Sequence, residues 1–312
     1  MFSIQTGKLG KFIKYKLVNE ETGEYVSVIP EYGGNVDEIV LSKKGITYPI
    51  LEVFGGDDIA KGNPKYKSTQ LIPFANRIAG GKYSFNGKSY QLPINLGKNA
   101  CHGLLLGNPM KVIEKKADKI HASIKLEYKY KGEEPGYPFK YKAIITYSLL
   151  KETGFVCETI ITNEDSSPIP VGHGWHPYYR TKGKVDRLKL KLPSIYRVEV
   201  VELIPTGKLI PETYSEAFTI GDRKYDAGFV VLDKEGKVSA ELYDPELDIK
   251  LNIWQETGKG KYNYLQTYIP DDRNSIAIEP MSSMTDAVNN KNGLIVLEPG
   301  QSFKAKFGVS LE

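Results

Sequence analysis

Apolar and polar residues alternate with a period of two along much of this chain. Ile124, Leu126, Tyr128 and Tyr130 alternate with Ser123, Lys125, Glu127 and Lys129. That is the pattern of a half-buried β-strand, whose successive side chains point to opposite faces. Residues 12–16, Tyr141 to Leu149, Phe155 to Ile161 and Glu241 to Ile253 are likewise strand-like or rich in strand formers. Turn signals punctuate the runs at Glu21-Thr22-Gly23, Lys131-Gly132, Glu152-Thr153-Gly154 and Glu235-Gly236. Asn86-Gly87, between Tyr83-Ser84-Phe85 and Lys88-Ser89-Tyr90, predicts a hairpin with a two-residue loop. Helical periodicity is scarce, and one short helix is expected near Asp57 to Lys61. Strands and turns without alternating helices predict an all-β sandwich or barrel. With no internal repeat, low-complexity tract or linker, residues 1–312 are expected to form a single domain.

Composition narrows the class. Hydrophobic residues make up 40% and charged residues 26%, as in ordinary soluble globular proteins. The 21 tyrosines suit strands, and their rings with a polar handle suit a half-wet binding face. The net charge of +4 is spread along the chain, and runs such as Arg187-Leu188-Lys189-Leu190-Lys191-Leu192 read as solvated strand faces. No basic block points to nucleic acid or a membrane surface as partner. Cys101 and Cys157 form neither a disulfide framework nor a metal motif, so buried thiols in a reducing compartment are expected. The start, Met1 to Gln5, shows no apolar signal core, and no run reaches membrane length; a cytoplasmic location is expected.

Candidate chemistry centres on the four histidines. His121 opens a strand and reads as structural or exposed. His102 and His173 and His176 stand among glycines and a proline, in turn-like settings where function concentrates. Three readings compete: metal binding by these three with a carboxylate, nucleophilic catalysis with Cys101 beside His102, and acid–base work by a histidine and a carboxylate. A spacing of three puts His173 and His176 on opposite faces of a strand, which is awkward for shared ligation. Cys101 and His102, as strand neighbours, point apart. The carboxylate candidate is Glu279, closing the apolar run Ser275-Ile276-Ala277-Ile278 before Pro280, where half-burial would raise its pKa toward a base's useful range. Arg77, set between apolar segments, either holds a carboxylate or donates to substrate hydroxyls. Trp175, Tyr178 and Tyr179 either pack the core or offer faces to a ligand.

The segments Asn76-Arg77-Ile78-Ala79-Gly80-Gly81-Lys82 with Asn95 following, His102-Gly103, Gly174-Trp175-His176-Pro177-Tyr178-Tyr179, and Ile278-Glu279-Pro280-Met281 with Asp286 and Asn289 resemble, in this order, the aldose 1-epimerase (galactose mutarotase-like) family. Tyr225-Asp226-Ala227-Gly228-Phe229 is a shorter match. The resemblance implies a large antiparallel β-sandwich with an open sugar cleft and a small-molecule sugar as substrate. It implies Glu279 as general base on the C1 hydroxyl and His176 as general acid on the ring oxygen. Arg77, His102 and Asp226 are implied to bind sugar hydroxyls, with Asn76 assisting. No cofactor or metal is implied. The same superfamily includes epimerases of hexose 6-phosphates, for which Arg180 and Lys182 are the cationic candidates. A sugar-binding protein that keeps the fold without catalysis would be expected to lack the base or the acid. The sequence leaves the sugar and the oligomeric state open.

Overall fold

The alternation becomes strands where the pattern places it. Strand His121–Tyr130 buries Ala122, Ile124, Leu126 and Tyr130, packs Tyr128 against the same core, and turns Ser123, Lys125, Glu127 and Lys129 outward. Tyr141–Leu150 and Gly154–Asn163 repeat that pattern and pair with it antiparallel, in sequence order. The structure is a computed structural model, and it describes all residues from 1 to 312 except 213, 215 and 234. The hairpin forms as expected: Phe85 pairs with Lys88, leaving Asn86 and Gly87, both at positive φ, as its two-residue loop. The short helix runs Gly56–Ala60, one residue earlier than expected, with the Asp58 carboxylate accepting the Gly55 N–H at 2.9 Å. The run from Glu241 to Ile253 is divided between strands Gly236–Asp244 and Ile249–Thr257. Asp244 makes the turn, its carboxylate accepting from the backbone N–H groups of Glu246 and Leu247.

Among the described residues the strands gather into antiparallel sheets of five, nine and eight strands, with two-stranded ribbons at the edges. The five-stranded sheet is the meander from Phe2 to Pro49. The nine- and eight-stranded sheets pack as a sandwich. Phe155 and Phe307 of the first lie against Trp175 of the second, with ring centroids 5.5 and 5.0 Å apart. Full burial of one such side chain contributes roughly 1.5–3 kcal/mol. The apolar core runs through residues from Phe2 to Val309. No helix among the described residues is long and apolar enough to cross a membrane.

Strand Ile276–Met281 of the eight-stranded sheet positions the site. All six of its residues are buried. Ile276 and Ile278 join the core, so Ala277, Glu279 and Met281 face the other way, where Glu279 reaches a cleft.

Candidate active site

Sheet register brings the polar residues of the cleft together. Glu279 pairs with Gln266, and Asp226 pairs with Tyr268 two positions along, so Gln266 and Asp226 are diagonal neighbours. The Gln266 amide donates to Asp226 Oδ1 at 2.9 Å. His176 lies between the short strands Gly174–Trp175 and Tyr178–Tyr179. Its N–H donates to the Thr69 carbonyl and its carbonyl accepts from the Ser68 N–H, which fixes its backbone. His176 Nε2 stands 3.4 Å from Glu279 Oε1. The ring of Tyr178 stacks on His176 with centroids 4.9 Å apart.

The opposite wall is built by strained turns. Asn76 sits at φ 59°, a conformation asparagine tolerates. Its Oδ1 accepts the Arg77 N–H at 2.8 Å and Arg77 Nη1 at 3.2 Å, aiming the guanidinium. His102, at φ 64°, donates its N–H to the Asn76 carbonyl. Gly103 follows at φ 75°, and a Cβ there would lie 2.2 Å from the Ile72 carbonyl oxygen, so only glycine completes this turn. The turn places the His102 ring edge-on to His176 at 5.2 Å and beside Tyr66 at 4.6 Å. Asn95 steadies the approach, accepting the Cys101 N–H at 2.7 Å and donating to the Cys101 carbonyl at 2.9 Å.

These residues line one cleft of about 680 Å³, counted to its open mouth. Its electrostatics follow from burial. Glu279 is 1% exposed, and its carboxyl is held well above the usual range by burial and by the charge of Asp226, with Arg77 opposing. Burial lowers His176 to about 3 and His102 well below the ordinary imidazole value; nearby positive charge adds to both shifts. Asp226 is open to solvent on one side and crowded by the cleft on the other, and that crowding raises its carboxyl against Arg77 and the Gln266 hydrogen bond. His102 Nδ1, His176 Nδ1 and Glu279 Oε2 are buried and have no protein partner. Native interiors rarely leave such groups unpaired. A buried carboxyl beside an imidazole, with donors and acceptors around them, can take a proton from one atom of a neutral ligand and deliver one to another.

All six residues expected to act on substrate, Asn76, Arg77, His102, His176, Asp226 and Glu279, line this cleft. Glu279 is fully rather than half buried, because its strand continues through Pro280 to Met281. His173 turns the other way, into the core, where Nδ1 meets the Tyr262 hydroxyl at 2.7 Å and Nε2 meets Gln70 Oε1 at 2.8 Å. The metal reading needed His173 beside His102 and His176, and the set is not assembled. Among the described residues no group of three His, Cys, Asp or Glu side chains is placed to hold a metal ion. Cys101 is fully buried and its thiol is pushed up to about 12, mainly by burial, which removes it as a nucleophile. Trp175 and Tyr179 pack the core, while Tyr178 reaches the cleft. Arg180 and Lys182 do not line the cleft; Lys65 does, paired with Asp272 at 3.0 Å. Asp286 and Asn289 prove architectural: Asp286 accepts the Ala79 N–H at 3.0 Å and is bridged by Asn289 at 2.7 Å. Gln266, Tyr66 and Tyr268 are cleft residues that the motifs did not point to. Tyr264, Gln266 and Tyr268 alternate on one strand face, a signal for two of them, whereas Tyr66 lies in a loop without periodicity.

Residues 15–310 match the family model described as aldose 1-epimerase. The chain is 30% identical to the uncharacterised protein YihR of Escherichia coli K12 over 250 residues, 77% of each chain. It is 30% identical to the galactose mutarotase of Sus scrofa over 148 residues, 44% of this chain and 40% of that one. A galactose mutarotase-like protein from Clostridium acetobutylicum has the same fold, with a TM-score of 0.87 at 21% identity, covering 100% of this chain and 98% of that one.

Proposed function

The chain belongs to the aldose 1-epimerase family, and from that premise we propose that it interconverts the α and β anomers of a free aldose by opening and closing the sugar ring. Glu279 takes the proton from the C1 hydroxyl while His176 delivers one to the ring oxygen. The C1–O5 bond breaks, the aldehyde turns about C1–C2, and closure returns both protons with the roles reversed. The observation that carries this reading is the buried contact of 3.4 Å between His176 Nε2 and Glu279 Oε1, with Glu279 Oε2 and the Nδ1 atoms of both cleft histidines unpaired beside it. Burial favours the neutral form of each, so at rest the pair's one proton sits on Glu279; its passage across the 3.4 Å contact to His176 arms base and acid together, and the pair titrates as a unit. Arg77, Asp226, Gln266 and His102 supply donors and acceptors for a neutral, hydroxyl-rich ligand, and Asn76 aims Arg77. The chemistry transfers protons while one C–O bond breaks and re-forms, with no redox step, and calls on no cofactor or metal.

A hexose 6-phosphate would want an available cation at the rim. The rim lysine, Lys65, is already paired with Asp272, which favours the free sugar. A purely binding role would not explain why both an acid and a base are kept buried at the cost of desolvation. The reading takes residues 1–312 as one domain in a reducing, cytoplasmic compartment; a core running from Phe2 to Val309 and two free buried thiols support it.

The test is polarimetry on freshly dissolved α-D-glucose and α-D-galactose, with EDTA present. Protein that speeds the approach to an unchanged final rotation supports the reading. An unaltered rate with both sugars, and acceleration only with a 6-phosphate, would transfer it to the phosphorylated class.

A further inference from the structure

The acid step asks for a charge that the cleft does little to favour. When the proton of the Glu279 carboxyl crosses to His176 Nε2, the products are a carboxylate and an imidazolium, both buried. A histidine that takes a proton in catalysis commonly has its second nitrogen hydrogen-bonded to a group that steadies the charge. His176 Nδ1 has no such partner. Arg77 opposes the charge, and the residue's own backbone favours it. Instead, the ring of Tyr178 lies against the imidazole, with centroids 4.9 Å apart and planes inclined by 22°. For the core histidine His173, the comparably parallel ring is Phe307, at 6.5 Å.

Tyr178 is fixed through both its backbone and its hydroxyl. It pairs with Ala277 of the Glu279 strand, its carbonyl accepts the Glu52 N–H, and its hydroxyl donates to the Lys65 carbonyl at 2.9 Å. The residue is 2% exposed, so its face is given to the imidazole and not to a ligand. Burial, and after it the charge of Glu279, hold the phenol well above its ordinary range, so it neither supplies nor takes the proton. We propose that Tyr178 is a positioning residue for the acid, whose π face stabilises His176 as an imidazolium between the departure of the proton from Glu279 and its delivery to the ring oxygen. This rests on the mutarotase reading above. A cation on the face of an aromatic ring is attracted by the ring's quadrupole, most strongly where water is excluded. A neutral imidazole gains little from that quadrupole. The contact therefore favours the armed pair over the resting one, and acts on kcat rather than on sugar binding.

The experiment compares Tyr178→Phe with the same position carrying phenylalanines of one, two and three ring fluorines. Fluorine draws charge from the ring face and barely alters its shape. Anomer exchange of D-galactose and D-glucose is followed by polarimetry. With each added fluorine kcat is expected to fall, by about tenfold over the series, while KM stays within about twofold. Tyr178→Phe, which keeps the face and loses only the hydroxyl contact to Lys65, is expected to stay within about threefold of wild-type kcat. A kcat that is flat across the fluorinated series overturns the proposal and leaves Tyr178 a packing residue. A KM that rises with fluorine in place of a falling kcat also overturns it, by making the ring a platform for the sugar. In both cases exchange by the wild-type protein leaves mutarotation standing. Acceleration of neither sugar by the wild-type protein overturns both readings.

Discussion

His173 and His176 are three residues apart, both buried, and both lowered to about 3 by burial. Their surroundings nevertheless differ. Between the sheets, both nitrogens of His173 are hydrogen-bonded, and the chain of contacts continues from Gln70 to the Tyr147 hydroxyl at 2.9 Å and on to the Gly34 carbonyl at 2.7 Å. Because Gln70 spends its N–H on Tyr147, its Oε1 accepts from His173 Nε2–H, and Tyr262 O–H donates to Nδ1. That network has no proton to spare. On the cleft face, His176 has one nitrogen against a carboxyl and the other without a partner. Burial and pKa therefore do not separate a structural histidine from a candidate catalytic one here; the count of satisfied hydrogen bonds does.

Substitutions sharpen that contrast. The largest effect is expected for Glu279→Gln, which removes the base: turnover falls about 10³-fold or more. A carboxyl whose folded pKa lies above its unfolded one costs stability once the pH exceeds the unfolded value of about 4.3. The amide escapes that cost, so the thermal midpoint at pH 7 should be equal to or above wild type, which calorimetry checks. His176→Asn is expected to cut kcat about 10²–10⁴-fold with little change in KM. His173→Phe is expected to do the opposite. It strands the Tyr262 hydroxyl and Gln70 Oε1, costing about 2 kcal/mol in a urea titration, while kcat per folded molecule stays within about tenfold. Equal kcat losses at the two histidines would erase the distinction. Asp226→Ala is expected to raise KM about tenfold with a smaller fall in kcat, as removal of a substrate acceptor should. The smallest effect is on pH dependence. A second proton reaches the Glu279–His176 pair only near the depressed value of His176, so kcat/KM should stay flat from pH 7 down to pH 5. An acid limb near the ordinary imidazole value of about 6.5 would contradict the burial argument.

The strands, the Asn86-Gly87 hairpin and the separation of His173 from His176 were legible because period-two alternation and turn chemistry act locally. The break after Asp244 was not, since it depends on one carboxylate folding back on its own backbone. In the cleft, Glu279, His176 and Arg77 were found through motifs. Gln266 was missed because the alternation of Tyr264, Gln266 and Tyr268 gives a strand face but not its partner; what ties that face to the site is register with Glu279, a long-range pairing. Tyr66 is brought to His102 by a loop held by partly buried ion pairs of Lys67 with Glu52 and Asp58, which are equally invisible along the chain. Asp286 and Asn289 came with the family motif, yet they hold the turn that carries Ala79.

The most direct test of the central claim is saturation transfer at equilibrium. The β-anomer H1 signal of D-galactose is irradiated while the α-anomer H1 is observed, with wild-type protein and with Glu279→Gln. The account requires transfer to the α signal with wild-type protein and none above the spontaneous level with the variant. Equal transfer with both proteins would contradict the assignment of Glu279 as the base.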